Sequence, residues 1–181
     1  MRATLTKTFS RLAILCTFLC LISTTTYASH IMGSDLTYAC IGPNQYRITL
    51  KVYRDCNGIT MPTSFAVSYG SASCGASGSI SLSRISATDI TPLCPSITSA
   101  CSGGSSPFGV ELHLYQGVVT LPSGCNDWVL SSSTCCRNSA VTNLTGPGSN
   151  DFLIRTTLDN TLTPCNSSPQ FASDPTPFSC V

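Results

Sequence analysis

Residues 45–55 alternate without a break. Tyr46, Ile48, Leu50 and Val52 are separated by Arg47, Thr49, Lys51 and Tyr53, the period-two signature of a strand with one buried and one outward face. Upstream, residues 34–41 form a second strand candidate joined through Gly42, Pro43 and Asn44, a turn composition that predicts an antiparallel hairpin. Asp55, Cys56, Asn57 and Gly58 read as the turn that ends it. Shorter strands are predicted at 65–69 and 80–85, with Gly70, Gly75 and Gly78 between them. Residues 91–107 are rich in Pro, Ser, Gly and Cys and read as a stapled loop. Alternation returns at 108–115, with Val110, Leu112 and Leu114 on one face and Glu111, His113 and Tyr115 on the other, read as outward. Gly117 then punctuates the pattern, and further strands are predicted at 118–121, 128–131, 140–144 and 152–158. Eight or nine short strands with regular turn signals predict an all-β fold, an antiparallel Ig-like β-sandwich.

The first 28 residues follow a different pattern. Arg2, Lys7 and Arg11 precede an apolar run over 12–22, and a polar stretch leads to the small residue Ala28. That order predicts a cleaved signal peptide, 1–28. Eleven helical residues rise about 16 Å, too little for a hydrocarbon core of roughly 30 Å. The remaining chain, 29–181, has no other run long and apolar enough to span a bilayer. The expectation is a secreted or cell-surface protein with one Ig-like domain over 29–164. Residues 165–181 read as a linker or the start of a following domain.

Composition narrows the function classes. Only 9% of residues are charged, against 28 Ser and 23 Thr, where an ordinary soluble domain carries about 25% charge. Hydrophobic residues make up 42%, which excludes a disordered chain. No cluster of Lys and Arg is present to neutralise phosphates, so no nucleic-acid partner is expected. Ten cysteines follow the leader: Cys40, Cys56, Cys74, Cys94, Cys101, Cys125, Cys135, Cys136, Cys165 and Cys180. In an oxidising compartment they predict up to five disulfides. Cys94 with Cys101 and Cys165 with Cys180 read as local pairs. On an extended segment Cys135 and Cys136 point to opposite faces, which predicts different partners for the two. No Cys-x-x-Cys occurs, and His30 and His113 are the only histidines, so neither a metal nor a cofactor is expected.

Catalytic chemistry finds little to work with. No Gly-x-Ser-x-Gly elbow surrounds any serine, and one Glu with seven Asp reads as turn formers rather than a glycosidase pair. His113 beside Glu111 reads as an ordinary strand histidine, and Asp55-Asn57 and Asp159-Asn160 are too poor in oxygens for a calcium loop. A non-catalytic module is expected. Tyr53, Tyr115 and Trp128 are candidate binding aromatics that could stack on surface glycans or pack against another surface protein. For Trp128 the competing reading is a core position next to a bridge.

Several strings in order carry a resemblance: His30-Ile31-Met32-Gly33 before Leu36-Thr37-Tyr38 and Cys40; Asn44-Gln45-Tyr46 running into Val52-Tyr53-Arg54-Asp55-Cys56; Gly117-Val118-Val119-Thr120-Leu121-Pro122; Trp128 with Cys135-Cys136-Arg137-Asn138; and Asn143-Leu144. Together they resemble the N-terminal region of large exported Bacteroidetes proteins, which carry PKD-type or Ig-like repeats and a gliding-motility-associated, type IX secretion C-terminal domain. The resemblance implies an adhesin-like surface role, further domains on the same polypeptide and no catalytic residue. It also implies that the chain is a truncated piece or a single module of such a protein.

Overall fold

A computed structural model describes residues 31–94, 96–138, 141–163 and 165–170. Residues 1–30, which include the predicted leader and its predicted cleavage site, and residues 171–181 lie outside the described residues. Seven antiparallel strands follow one another: β1 (Ile31–Gly42), β2 (Gln45–Asp55), β3 (Ser64–Ser71), β4 (Ala76–Asp89), β5 (Val110–Thr120), β6 (Trp128–Cys135) and β7 (Asp151–Leu158). They form one sheet in the order β1-β2-β5-β4-β3-β6-β7. The first four positions are the A-B-E-D order of a constant-type immunoglobulin sheet, and the last three are its C-F-G partner. Here β3 and β4 pair over their facing lengths, Ser64 with Ser83 through to Ser71 with Ala76. The two halves are therefore one continuous sheet folded around a single core, all-β and antiparallel as the alternation predicted.

The strand pattern explains the core. Tyr46, Ile48, Leu50 and Val52 are all buried, and in register they face Val119, Gly117, Tyr115 and His113 of β5. From β1 come Leu36 and Tyr38, from β3 Phe65 and Val67, and from β4 Leu82; Trp128, Leu130 and Leu158 close the far side. Phe65 meets Tyr115 edge-on at 4.8 Å between centroids, an arrangement favoured by the ring quadrupoles.

Gly117 does not end a strand. β5 runs unbroken through it to Thr120, so the strand predicted at 118–121 is a continuation of the one before it. A Cβ at Gly117 would lie 2.8 Å from Leu82 Cδ2 and 3.1 Å from the Ser81 carbonyl oxygen. The glycine allows β4 and β5 to approach closely, which a one-dimensional pattern reads as punctuation. Nor is 140–144 a strand. Its described part, 141–144, is turn and loop, with the Val141 amide donating to the Asn138 carbonyl at 3.1 Å; Ala140 lies outside the described residues.

Cross-links sit at the ends and edges of the sheet. Cys40–Cys165, Cys56–Cys101 and Cys74–Cys125 have Cα separations of 5.2, 5.0 and 6.2 Å, within the range a cystine spans. Both expected local pairs are thereby overturned. Cys101 joins Cys56 because the 91–109 loop folds back on the β2 end, where the Cys56 amide donates to the Gly109 carbonyl at 3.0 Å. Cys165 joins Cys40 because the chain after β7 returns along β1. Cys135 and Cys136 pair with each other, Cα atoms 3.1 Å apart across a cis peptide. The opposite-face argument fails because β6 ends at Cys135, so the two do not share an extended segment.

The segment after β7 is also hydrogen-bonded to β1. The Ser168 amide donates to the Tyr38 carbonyl at 3.0 Å, the Tyr38 amide to Ser168 Oγ at 3.0 Å, and the Cys40 amide to Ser167 Oγ at 3.0 Å. Residues 165–170 are thus held against β1. They cover part of the β1 edge, whose exposed amides would otherwise invite pairing with another chain. Tyr38 closes the same gap by donating its hydroxyl to the Thr157 carbonyl of β7 at 3.1 Å.

Candidate functional site

The end of the sheet where β2 stops and β5 begins gathers most of the charged side chains that have defined partners. In register Arg54 lies opposite Glu111, and Val52 opposite His113. Glu111 Oε2 accepts from Arg54 Nη1 at 3.0 Å and lies 2.6 Å from His113 Nε2. Arg54 spends its other donors on backbone, Nε to the Ile59 carbonyl and Nη2 to the Gly58 carbonyl, both at 2.6 Å. One guanidinium thereby fixes the 56–60 turn to the sheet. Each such charge-assisted bond is shorter and stronger than a neutral one.

His113 is 2% exposed and points inward, not outward as the 108–115 pattern suggested. The face assignment of β5 is largely inverted: His113, Tyr115 and Val119 are buried, with Glu111 half-buried on the same side, whereas Leu112 and Leu114 lie half-buried on the other and Val110 alone of that set is buried. The cause is that β5 is a central strand, flanked by β2 and β4, and carries apolar residues on both faces. Burial holds the His113 imidazole below its ordinary pKa, Glu111 acting in the opposite sense and Arg84 and Arg54 adding to the depression. At neutral pH the ring is therefore uncharged and donates Nε2–H to Glu111. Its Nδ1 has no hydrogen-bond partner among the described residues. This cluster braces a loop, with His113 buried and the Arg54 and Glu111 side chains partly exposed.

Above it the 91–109 loop is held from several sides. Cys101 ties it to Cys56. Asp89 accepts from the Thr91 amide at 3.0 Å, from Ser102 Oγ at 3.2 Å and from the Ser99 hydroxyl. Burial alone would raise the Asp89 pKa, but the Ser99 and Thr91 bonds outweigh it and hold the carboxyl below its usual range. Asn57 Nδ2 reaches the Pro107 carbonyl at 3.0 Å, and the Ala100 amide reaches the Phe108 carbonyl at 3.1 Å. On this fixed backbone Phe108 is 60% exposed, with Ile97 and Ile59 also exposed. Apolar side chains displayed from rigidly held loops are the usual raw material of a contact surface.

The opposite end has its own corner. Asp127 accepts from the Ser71 hydroxyl and from the Ser73 hydroxyl and amide, bonds that lower its pKa to about 2, Ser71 contributing most. Cys74–Cys125 joins the same two loops. Asp55, Asp89 and Asp159 each accept the amide two residues on, the Asx-turn role of turn-forming aspartates. Among the described residues, no group of three or more His, Cys, Asp or Glu is arranged to hold a metal ion. Among them, too, no helix is long and apolar enough to cross a membrane.

The three aromatics proposed for ligand contact are all buried. Trp128 and Tyr115 are fully buried. Trp128 packs obliquely on Tyr69, 6.0 Å between centroids, and Tyr115 donates its hydroxyl to the Pro62 carbonyl at 2.8 Å. Tyr53 does lie on the outward face of β2, yet it is also buried. Its ring passes 3.8 Å from where a Cβ on Gly33 would be, and its hydroxyl donates to Asp35 at 3.0 Å. Sequence reasoning missed Phe108, Ile97 and Ile59, since exposure in a loop has no periodic signature. The one available signal was an apolar residue beside Pro107 inside a stapled loop. No protein-family model, curated protein or solved structure matches the chain.

Proposed function

We propose that this chain is a non-catalytic extracellular module of an adhesin-like surface or secreted protein, exported by its N-terminal leader. On this reading it binds another surface protein through the loops at the β2/β5 end. The observation that carries the proposal is the 60% exposure of Phe108 on a loop fixed by Cys56–Cys101 and by the Arg54 and Asp89 bonds. A pre-ordered loop has little entropy left to lose on binding, so an exposed aromatic there converts more of its burial into affinity. Protein is favoured over glycan as the partner because Tyr53, Tyr115 and Trp128 are committed to the interior. Further domains on the same polypeptide would carry the module away from the cell.

The test compares beads coated with the mature chain with beads coated with Phe108→Asp, on extracellular surfaces treated with protease or with glycosidase. Binding should fall at least tenfold for the variant, the loss expected of a central hot spot, with melting temperature unchanged. It should also be abolished by protease and survive glycosidase. Undiminished binding by Phe108→Asp, or sensitivity to glycosidase alone, would overturn the proposal.

A further inference from the structure

We propose that the Cys135–Cys136 cystine is a thiol-exchange site, opened by an external protein dithiol and re-formed by oxidation, that governs how the chain after β6 is held. Its place in the sequence sets it apart. The bridges Cys56–Cys101, Cys74–Cys125 and Cys40–Cys165 join residues 45, 51 and 125 apart, whereas these two sulfurs sit on neighbouring residues. A bridge that shortens the unfolded chain stabilises the fold, and because coupling is reciprocal the fold holds that bridge oxidised to the same extent. Neighbouring cysteines close no loop. Folding therefore gives Cys135–Cys136 none of the protection against reductant that it gives the other three. Access does not decide the order, since Cys74 and Cys165 are exposed as Cys135 is; loop length does.

Cys135 is exposed at the end of β6 and Cys136 is half-buried, so Cys135 Sγ is the atom an incoming thiolate meets. Attack there breaks the sulfur–sulfur bond, leaves a mixed disulfide on Cys135 and expels Cys136 as a thiolate, which takes up a proton. The second thiolate of the reductant then displaces the Cys135 sulfur, which is protonated in turn. Two electrons and two protons pass to this chain, and the reductant leaves as a disulfide. Oxidation by a disulfide donor of the export compartment runs the same steps backwards.

The residues that follow are docked on three other elements. Arg137 bridges Ile31 at the start of β1, its amide donates to the Asn150 carbonyl at 3.0 Å, and its guanidinium lies 5.1 Å from the ring centroid of Phe152 in β7. Asn138 is buried, with Nδ2 3.5 Å from Asp55 Oδ2 at the end of β2. The cystine closes a ring that includes the backbone between its two Cα atoms, and so fixes the direction in which the chain enters this dock. Opening the ring returns that rotational freedom and loosens Arg137 and Asn138. The effect reaches the 91–109 loop through Asp55, whose Oδ1 accepts from the Asn57 amide at 3.0 Å, and through Asn57, whose Nδ2 donates to the carbonyl of Pro107 at 3.0 Å, beside Phe108. Control of binding by this route rests on the reading of Phe108 as a contact residue; the exchange site and the dock do not.

The test uses the mature chain with its cystines intact and needs no binding partner, so its failure is distinct from failure of the adhesin-like reading. The protein is incubated with graded dithiothreitol, alkylated and digested, and each cysteine is read by mass spectrometry. Cys135 and Cys136 should be half alkylated at a dithiothreitol concentration at least tenfold below that which opens any of the other three bridges, and should re-form their bond with oxidised glutathione. Opening together with, or after, any of the three would overturn the exchange site. In the selectively reduced protein, hydrogen exchange at the Arg137 and Asn57 amides should be at least tenfold faster than in the parent, with β2 and β5 amides unchanged. Cys135→Ser/Cys136→Ser should show the same rates without reductant. Unchanged exchange at Arg137 in both would overturn control of the dock, and unchanged exchange at Asn57 alone would overturn the step to the Phe108 loop.

Discussion

Replacing both Cys40 and Cys165 by serine should destabilise this domain far more than replacing both Cys135 and Cys136. A cystine acts mainly by shortening the loops open to the unfolded chain. For a separation of 125 residues loop-closure entropy amounts to about 5 kcal/mol at 25 °C. The loops are nested, however. With Cys74–Cys125 intact, the covalent path from Cys40 to Cys165 skips 75–124 and shrinks to roughly 75 residues, which lowers the figure to about 4.5 kcal/mol. Measured bridges usually deliver about 2–4 kcal/mol. At about 3 °C per kcal/mol for a chain of this size, the melting temperature should drop by roughly 6–12 °C. Cys135 and Cys136 are one residue apart and close essentially no loop, so their double serine variant should melt close to the parent. Thermal and urea unfolding followed by far-ultraviolet circular dichroism measure both. A Cys40→Ser/Cys165→Ser protein melting within about 2 °C of the parent, or the reverse order of the two variants, would refute the reasoning.

Two further outcomes follow from the core. Because burial depresses the His113 pKa, folding disfavours its proton. Stability is then full above the unfolded value of 6.5 and declines as pH falls below it toward the folded value. The groups facing the ring are Glu111, Arg54, Arg84 and Tyr115, and a His113→Gln variant should flatten the melting-temperature profile as pH falls below 6.5; an unchanged slope would count against the assignment. Gly117→Val should cost about 1–3 kcal/mol through the clash with Leu82 and the Ser81 carbonyl, read as a lower urea midpoint at unchanged m-value. A neutral result would mean that β4 and β5 are not in close contact there.

How much the sequence reveals depends on how many faces of a strand are buried. β2 was legible because its outward residues are Arg47, Thr49 and Lys51, and polarity alone separates its faces. β5 was not, since Leu112 and Leu114 alternate with Tyr115 and Val119, and period two says nothing about which set turns inward. His113 and Glu111 belong inside for a reason no local pattern holds: Arg54, 57 residues away in sequence, meets Glu111 across the ladder. The disulfides failed for the same reason. Proximity in sequence suggested Cys94–Cys101 and Cys165–Cys180, whereas pairing follows which chain ends the sheet brings together. The aspartates were readable because an Asx turn is a local device, complete within three residues.

The placement of sulfur and charge suggests how a chain with so few ionic groups keeps its loops in one shape. Within the sheet, ladders and apolar side chains suffice, and no described cystine crosses the middle of the core. Where the ladder stops, backbone groups lose their partners and entropy favours loosening. There the chain places Cys56–Cys101 with Arg54 and Asp89 at one end, and Cys74–Cys125 with Asp127 at the other. Cys40–Cys165, with Ser167 and Ser168, covers the β1 edge. Each cross-link is accompanied by a carboxylate, guanidinium or hydroxyl that satisfies local backbone groups, so covalent restraint and hydrogen bonding act on the same segment. The order of loss on reduction follows: the loops displaying Phe108 and Ile97 should become mobile before the strands separate, because the strands keep both their ladder and their core.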